Sequence, residues 1–105
     1  MLFVETKTFT ARVLDLASQE EYHLLQLLLA ERPDAGAVIP GTGGIRKLRW
    51  AGSGRGKRGG LRYLYFWLPQ GHIILMMFVF AKNEQSDLSP TQRAALKRLV
   101  QEEFP

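Results

Sequence analysis

Residues 52–60 read Gly52-Ser53-Gly54-Arg55-Gly56-Lys57-Arg58-Gly59-Gly60, and the chain leaves this run through Leu61-Arg62-Tyr63-Leu64-Tyr65. Glycines let a backbone approach a ligand closely, so Arg55, Lys57 and Arg58 are placed to contact phosphates. Arg62 carries the sharpest implication. Strand alternation sets it on one face with Leu64 and Phe66, and a guanidinium among large apolar side chains is costly unless it meets an anion. The structural alternative is an ion pair to Glu84 or Asp87. Tyr63, Tyr65 and Trp67 fall on the other face. Single-stranded RNA is commonly held by bases stacked on aromatic rings beside arginine, which makes Tyr63 and Tyr65, flanking the basic run, candidate stacking residues. Phe66 and Trp67 are expected in the core. Phe80 and Lys82 share a face near the end of the following strand. Lys82, with Asn83 and Glu84 after it, is a candidate for proton movement or a rim lysine.

Several other chemistries are excluded. The glycine run lacks a Ser or Thr after Lys57 and leads into a strand rather than a helix, so it is neither a Walker loop nor a dinucleotide fingerprint. His23 and His72 have no further ligand at metal spacing, so no metal or other cofactor is expected. No Ser-His-Asp or paired-carboxylate arrangement is visible. With no cysteine there is no disulfide or thiol chemistry, which fits a reducing cytoplasm.

Charge is distributed unevenly. No Asp or Glu occurs between Asp34 and Glu84, an interval that holds eight basic residues; the remainder holds six basic and ten acidic ones. A +8 middle set against −4 at the two ends predicts a one-sided positive field suited to a polyanion. Arg49, on the strand before the glycine run, belongs to the same set of RNA-contacting candidates.

The elements that must position these groups follow from periodicity. With 105 residues and 46% hydrophobic content, one domain spanning residues 1–105 is expected. Residues 2–5 read as a strand. Phe9, Val13 and Leu16 recur at helical spacing, with Thr8 or Thr10 available as N-cap. Ser18 and Glu21 form a capping-box pattern that opens a leucine-rich helix ending before Pro33, which gives a helical hairpin. Residues 33–44 are expected as loop and 45–50 as a strand with Ile45, Lys47 and Arg49 on one face. Residues 61–68 and 72–81 are expected as strands joined by a turn at Pro69-Gln70-Gly71. The second is apolar almost throughout, as in a strand buried on both faces. It is also far too short to cross a membrane, so no membrane association is expected. Ser89-Pro90-Thr91-Gln92 opens a closing helix with Leu96, Leu99, Val100 and Phe104 on one stripe. The order β-α-α-β-β-β-α predicts an α+β fold with an antiparallel meander.

The segments 56–65, Phe78-Val79-Phe80-Ala81-Lys82-Asn83-Glu84 and Asp87-Leu88-Ser89 with Leu96-Lys97-Arg98-Leu99 resemble the RelE superfamily of toxins, and within it the HigB-type branch. The resemblance covers nearly the whole chain. It implies a microbial-RNase-like fold with an antiparallel-rich sheet, an N-terminal helical hairpin and a C-terminal helix. It further implies a type II toxin–antitoxin system, in which the toxin cleaves mRNA in the ribosomal A site and so inhibits translation. A cognate antitoxin would block it, and operator DNA would be met only through the antitoxin complex. Lys57 and Arg62 match the family's basic turn and strand arginine, and Lys82 its basic position after the last strand; these three are the implied catalytic residues. With Asn83, the residues read from charge and stacking chemistry, Arg49, Arg55, Arg58, Tyr63, Tyr65 and Phe80, complete the candidate RNA-binding set. Asn83 falls where some relatives carry another basic residue. The closing helix departs from the family pattern in lacking a Tyr or His, which leaves the general base unassigned.

Two other functions use the same patch. A non-catalytic RNA- or ribosome-binding module predicts salt-sensitive binding with intact transcripts. An interaction protein for an acidic partner predicts tight protein binding and no RNA affinity.

Overall fold

Thr6 ends the first strand and begins the first helix. The computed structural model describes residues 1–50 and 60–104. Strand β1 (Leu2–Glu5) precedes helix α1 (Lys7–Leu16), and the Thr6 hydroxyl accepts the Phe9 N–H at 3.0 Å. The N-cap is therefore Thr6, ahead of the expected Thr8 or Thr10. The reason is tertiary: the same hydroxyl donates to the Met77 carbonyl at 2.8 Å, a contact between distant parts of the chain. Helix α2 (Gln19–Glu31) starts at the expected capping box, with Ser18 and Glu21 each satisfying the other's backbone N–H. Helix α3 (Pro90–Glu103) repeats the device with Ser89 and Gln92, and Pro90 occupies its first turn, where no N–H is needed.

Among the described residues the fold is α+β, with three α-helices around a mixed, open sheet of five strands. Strands β2 (Ala37–Val38), β3 (Arg46–Trp50), β4 (Leu61–Leu68) and β5 (Ile73–Ala81) join β1 in the order β1-β5-β4-β3-β2. The expected antiparallel meander exists as β3-β4-β5, and two features go beyond it. β1 pairs with β5 in parallel, Leu2 opposite Ile73 and Glu5 opposite Met76. Within the segment expected as loop, Ala37 and Val38 pair with Lys47 and Arg46, forming a two-residue edge strand. Non-local pairing of this kind leaves no local pattern to read.

Each sheet face has its own core. The α1–α2 hairpin covers one with Phe9, Val13, Tyr22, Leu25 and Leu29 against Tyr63, Tyr65, Ile74, Met76 and Val79. On the other face Val100, Leu96, Leu99 and Phe104 of α3 meet Leu64, Leu75, Met77 and Phe80. β5 serves both, as its unbroken apolar run implied. A bulge makes this possible: Leu64 pairs with Phe78 but Tyr65 with Met76, so Met77 is an extra residue. Met77 and Phe78 can then both pack on the α3 side.

Beyond its pairing with β1, β5 needs a cover for its edge, and side chains supply it. Thr6 donates to the Met77 carbonyl and Arg12 Nε to the Val79 carbonyl at 2.8 Å. Glu84 accepts the Ala81 N–H at 2.8 Å and is held in turn by Arg12 Nη2 at 2.6 Å. The Arg12 guanidinium also lies 5.0 Å from the Phe78 ring centre. An exposed strand edge invites pairing with other chains, and these contacts close this one. Among the described residues no helix is long and apolar enough to cross a membrane.

Candidate nucleic-acid interface

The β3–β4 ladder brings the basic residues together. Its register sets Arg49 opposite Arg62, with Trp50 opposite Leu61 at the end of the ladder that adjoins residues 51–59 in the sequence. On the next strand Arg62 pairs with Phe80. Arg49, Arg62 and Phe80 thus form one cross-strand row on the α3 face, followed by Lys47, Leu64 and Phe78. Like charges directly opposite each other in a ladder are destabilising, and Arg62 is only 6% exposed while Arg49 is exposed. A row of this kind suits a ligand with negative oxygens. The expected alternation of β4 is observed: Arg62, Leu64 and Phe66 on one side, Tyr63, Tyr65 and Trp67 on the other.

Arg62 is engaged within the fold, and the two acids weighed for it also bind other cations. Glu84 is bound by Arg12, and Asp87 lies 3.5 Å from Lys47 Nζ. The Ala81 N–H and then Arg12 hold the Glu84 carboxyl below the usual range. Asp87 is likewise lowered, first by the Leu88 N–H and then by Lys47 and Arg93.

The aromatic candidates are corrected by burial. Tyr63, Tyr65 and Phe80 are each 0% exposed, so none presents a face to a base. Tyr63 lies between the hairpin helices and the sheet, its ring 6.1 Å from Phe9 and 6.4 Å from Tyr22. Its hydroxyl has no hydrogen-bond partner among the described residues, and burial pushes the phenol's pKa well up. Tyr65 is a structural tie: its hydroxyl accepts the Gly36 N–H at 2.8 Å and donates to the Pro33 carbonyl at 2.7 Å. Phe80 belongs to the α3-side core. The rings point away because each completes a core cluster under a helix, a property of tertiary packing rather than of spacing along β4. Phe66 and Trp67 are core, as expected; Phe66 stacks on Phe104 at 5.4 Å.

Lys82 and Asn83 are exposed on the turn that follows β5. The Glu84 N–H donates to the Ala81 carbonyl at 3.0 Å, and Glu84 itself anchors the turn to Arg12. Arg55, Lys57 and Arg58 lie outside the described residues. Arg46, which shares their stretch of sequence, is structural: it donates to the carbonyls of Gly36 at 2.7 Å and Asp34 at 3.3 Å. Sequence reasoning missed Arg12 and the partnership of Lys47 with Asp87. A lone arginine in a short helix carries no signal of the strand edge it will cap.

Other surfaces are less suited to an anion. A groove of about 270 Å³ between α3 and the start of α1 is lined by Thr6, Thr8, Met77, Phe78, Leu96 and their neighbours, without a charged side chain. His23 and His72 are exposed, and no group of three or more potential metal ligands occurs among the described residues. No protein-family model matches the chain.

Proposed function

We propose that the chain is a ribosome-dependent mRNA endoribonuclease toxin of a type II toxin–antitoxin system, with the RelE-like fold of the HigB-type branch. The observation that carries the proposal is the in-register pair Arg49 and Arg62, near the end of the ladder whose two strands flank the basic sequence 51–59. Two guanidiniums on adjacent strands can contact separate oxygens of one phosphodiester, and donors aimed at developing charge are commonly worth several kcal/mol, about 3 at one position.

In the reaction the 2′-hydroxyl attacks its own phosphate and the bond to the 5′-oxygen breaks. The attacking hydroxyl loses its proton, the leaving oxygen gains one, and the products are a cyclic phosphate and a free 5′-hydroxyl. Arg62 and Arg49 stabilise the phosphoryl oxygens, assisted by Arg55 or Arg58. Lys57 and Lys82 are assigned to proton movement. With Tyr63, Tyr65 and Phe80 buried, orientation of the bases falls to the ribosome rather than to stacking on these rings. The cognate antitoxin covers the basic face, and operator DNA is reached through that complex.

A second possibility, RNA or ribosome binding without cleavage, is favoured by that same burial, since it needs only the arginine row. Induced expression of wild type and Arg62→Ala, with and without the adjacent gene's product, separates them. Growth arrest and transcript cleavage lost in Arg62→Ala support the nuclease. Salt-sensitive binding with intact transcripts supports the binding module. Tight binding of the neighbouring gene product with no RNA affinity identifies an interaction protein and overturns both.

A further inference from the structure

We infer that the groove between α3 and the turn at Gly41 is a second phosphate subsite, which continues the arginine row along a single RNA strand. The inference rests on the RNA-binding part of the proposed function and adds a second contact region to it. The groove, about 370 Å³, is lined by Gly41, Leu88, Pro90, Arg93, Ala94 and Lys97. Among the described residues its charged side chains are two cations, Arg93 and Lys97, four residues apart and therefore neighbours on one helix face.

Arg93 is the stronger indication. Its Nε is shielded from solvent and has no hydrogen-bond partner among the described residues. A guanidinium N–H withdrawn from water without an acceptor is costly, and the same side chain lines the groove, where an oxyanion bound to its guanidinium would offset that cost. The opposite wall is open. Gly41 holds a left-handed φ of +76°, and nothing lies within 4 Å of where a Cβ would project. The end of α3 is not invoked, because Ser89 and Gln92 already cap it reciprocally.

Lys47 links the groove to the arginine row. It is two residues from Arg49 on the same strand face, about 6.6 Å along β3. Its Nζ lies 3.5 Å from Asp87, whose carboxylate also feels the charge of Arg93. Asp87 therefore stands between the cations of the sheet and those of the helix. The groove lining contains no aromatic ring, so the ligand is the ribose–phosphate backbone, bound through phosphates without reading of base identity.

The test is fluorescence anisotropy with a labelled oligouridylate of about twelve nucleotides and with a labelled dinucleotide, over a range of salt concentrations. Arg93→Gln/Lys97→Gln is compared with Arg32→Gln, an exposed charge at the end of the helical hairpin. The groove variant should bind the long RNA about ten-fold more weakly, with a salt slope reduced by roughly one to two, and should bind the dinucleotide unchanged. Exposed Lys97→Gln alone should lower the slope by about one, which guards against a folding defect in the double variant. If the groove variants match Arg32→Gln while Arg62→Gln weakens binding, the subsite falls and the proposed function stands. If wild type and all variants bind no RNA, both fall. If polyglutamate competes as well as RNA at equal salt, the groove is a site for acidic protein and the inference falls.

Discussion

Arg49 and Arg62 face one another across the β3–β4 ladder, one exposed and the other only 6% exposed. Removing the exposed member relieves a like-charge pair without opening the core. Arg49→Gln is therefore expected to melt at the same temperature as wild type or slightly higher, while its RNA affinity falls and its salt slope drops by about one. Melting curves paired with binding titrations check this. A loss of stability in step with the loss of binding would count against a ligand-directed role.

Tyr63 and Tyr65 are predicted to respond in opposite ways to loss of the hydroxyl. Tyr63→Phe removes a buried group with no partner and should be neutral or stabilising. Tyr65→Phe leaves the buried Gly36 N–H and the Pro33 carbonyl without their partner and should cost about 1–3 kcal/mol. Denaturant unfolding of the two variants measures the contrast. Neither should alter RNA affinity; a selective loss in Tyr63→Phe would restore that ring as a contact residue.

Glu84 predicts an acid limb in the stability profile. Its carboxyl is held below the ordinary value of 4.5 in the folded chain, first by the Ala81 N–H and then by Arg12. The stabilisation is therefore present above the unfolded value and is lost as the pH falls through the lower folded one. Wild-type Tm should drop more steeply below about pH 4.5 than that of Glu84→Gln, which starts lower and changes less. Parallel slopes would show that the Arg12–Glu84 contact contributes nothing to the folded state.

Asp87 supplies a prediction of unusual sign. It lies 3.5 Å from Lys47 with its side chain half exposed, so the ion pair is worth little to stability. Asp87→Asn removes a negative charge from a basic surface. RNA should then bind more tightly, with a steeper salt dependence. Unchanged or weaker binding in the same titration would place Asp87 off the RNA path.

Much of this architecture was legible because it is locally encoded. The boxes Ser18 with Glu21 and Ser89 with Gln92 announce their helices, and the apolar run of β5 announces a strand buried on both faces. Alternation along β4 also placed Arg62 correctly relative to Tyr63. What remained hidden depends on distant partners. Ala37 and Val38 become a strand only through Lys47 and Arg46, and Thr6 becomes an N-cap where it can also reach Met77. Alternation sorts side chains into two sets without saying what covers each. That is why Tyr63 and Tyr65 read as surface rings beside a basic run, and why the helical hairpin that buries them had no trace in their spacing. Arg12 was invisible for a similar reason, since its role is defined by an unpaired edge on β5.

The parallel union of β1 with β5 has a consequence for how the chain acquires its shape. Thr6 and Met77, bonded at this junction, are 71 positions apart. Strand β5 must be made before β1 has anything to pair with, and closure of so long a loop is a slow step in assembly. Until then the hairpin lacks the sheet face that completes its core, and the edge that Thr6 and Arg12 cover is bare. Maturation of the arginine row is thereby tied to synthesis of β5: Phe80, the row's third member, lies on that same strand. A growing chain thus completes its basic row only once β5 has been made, well after Arg49 and Arg62 themselves.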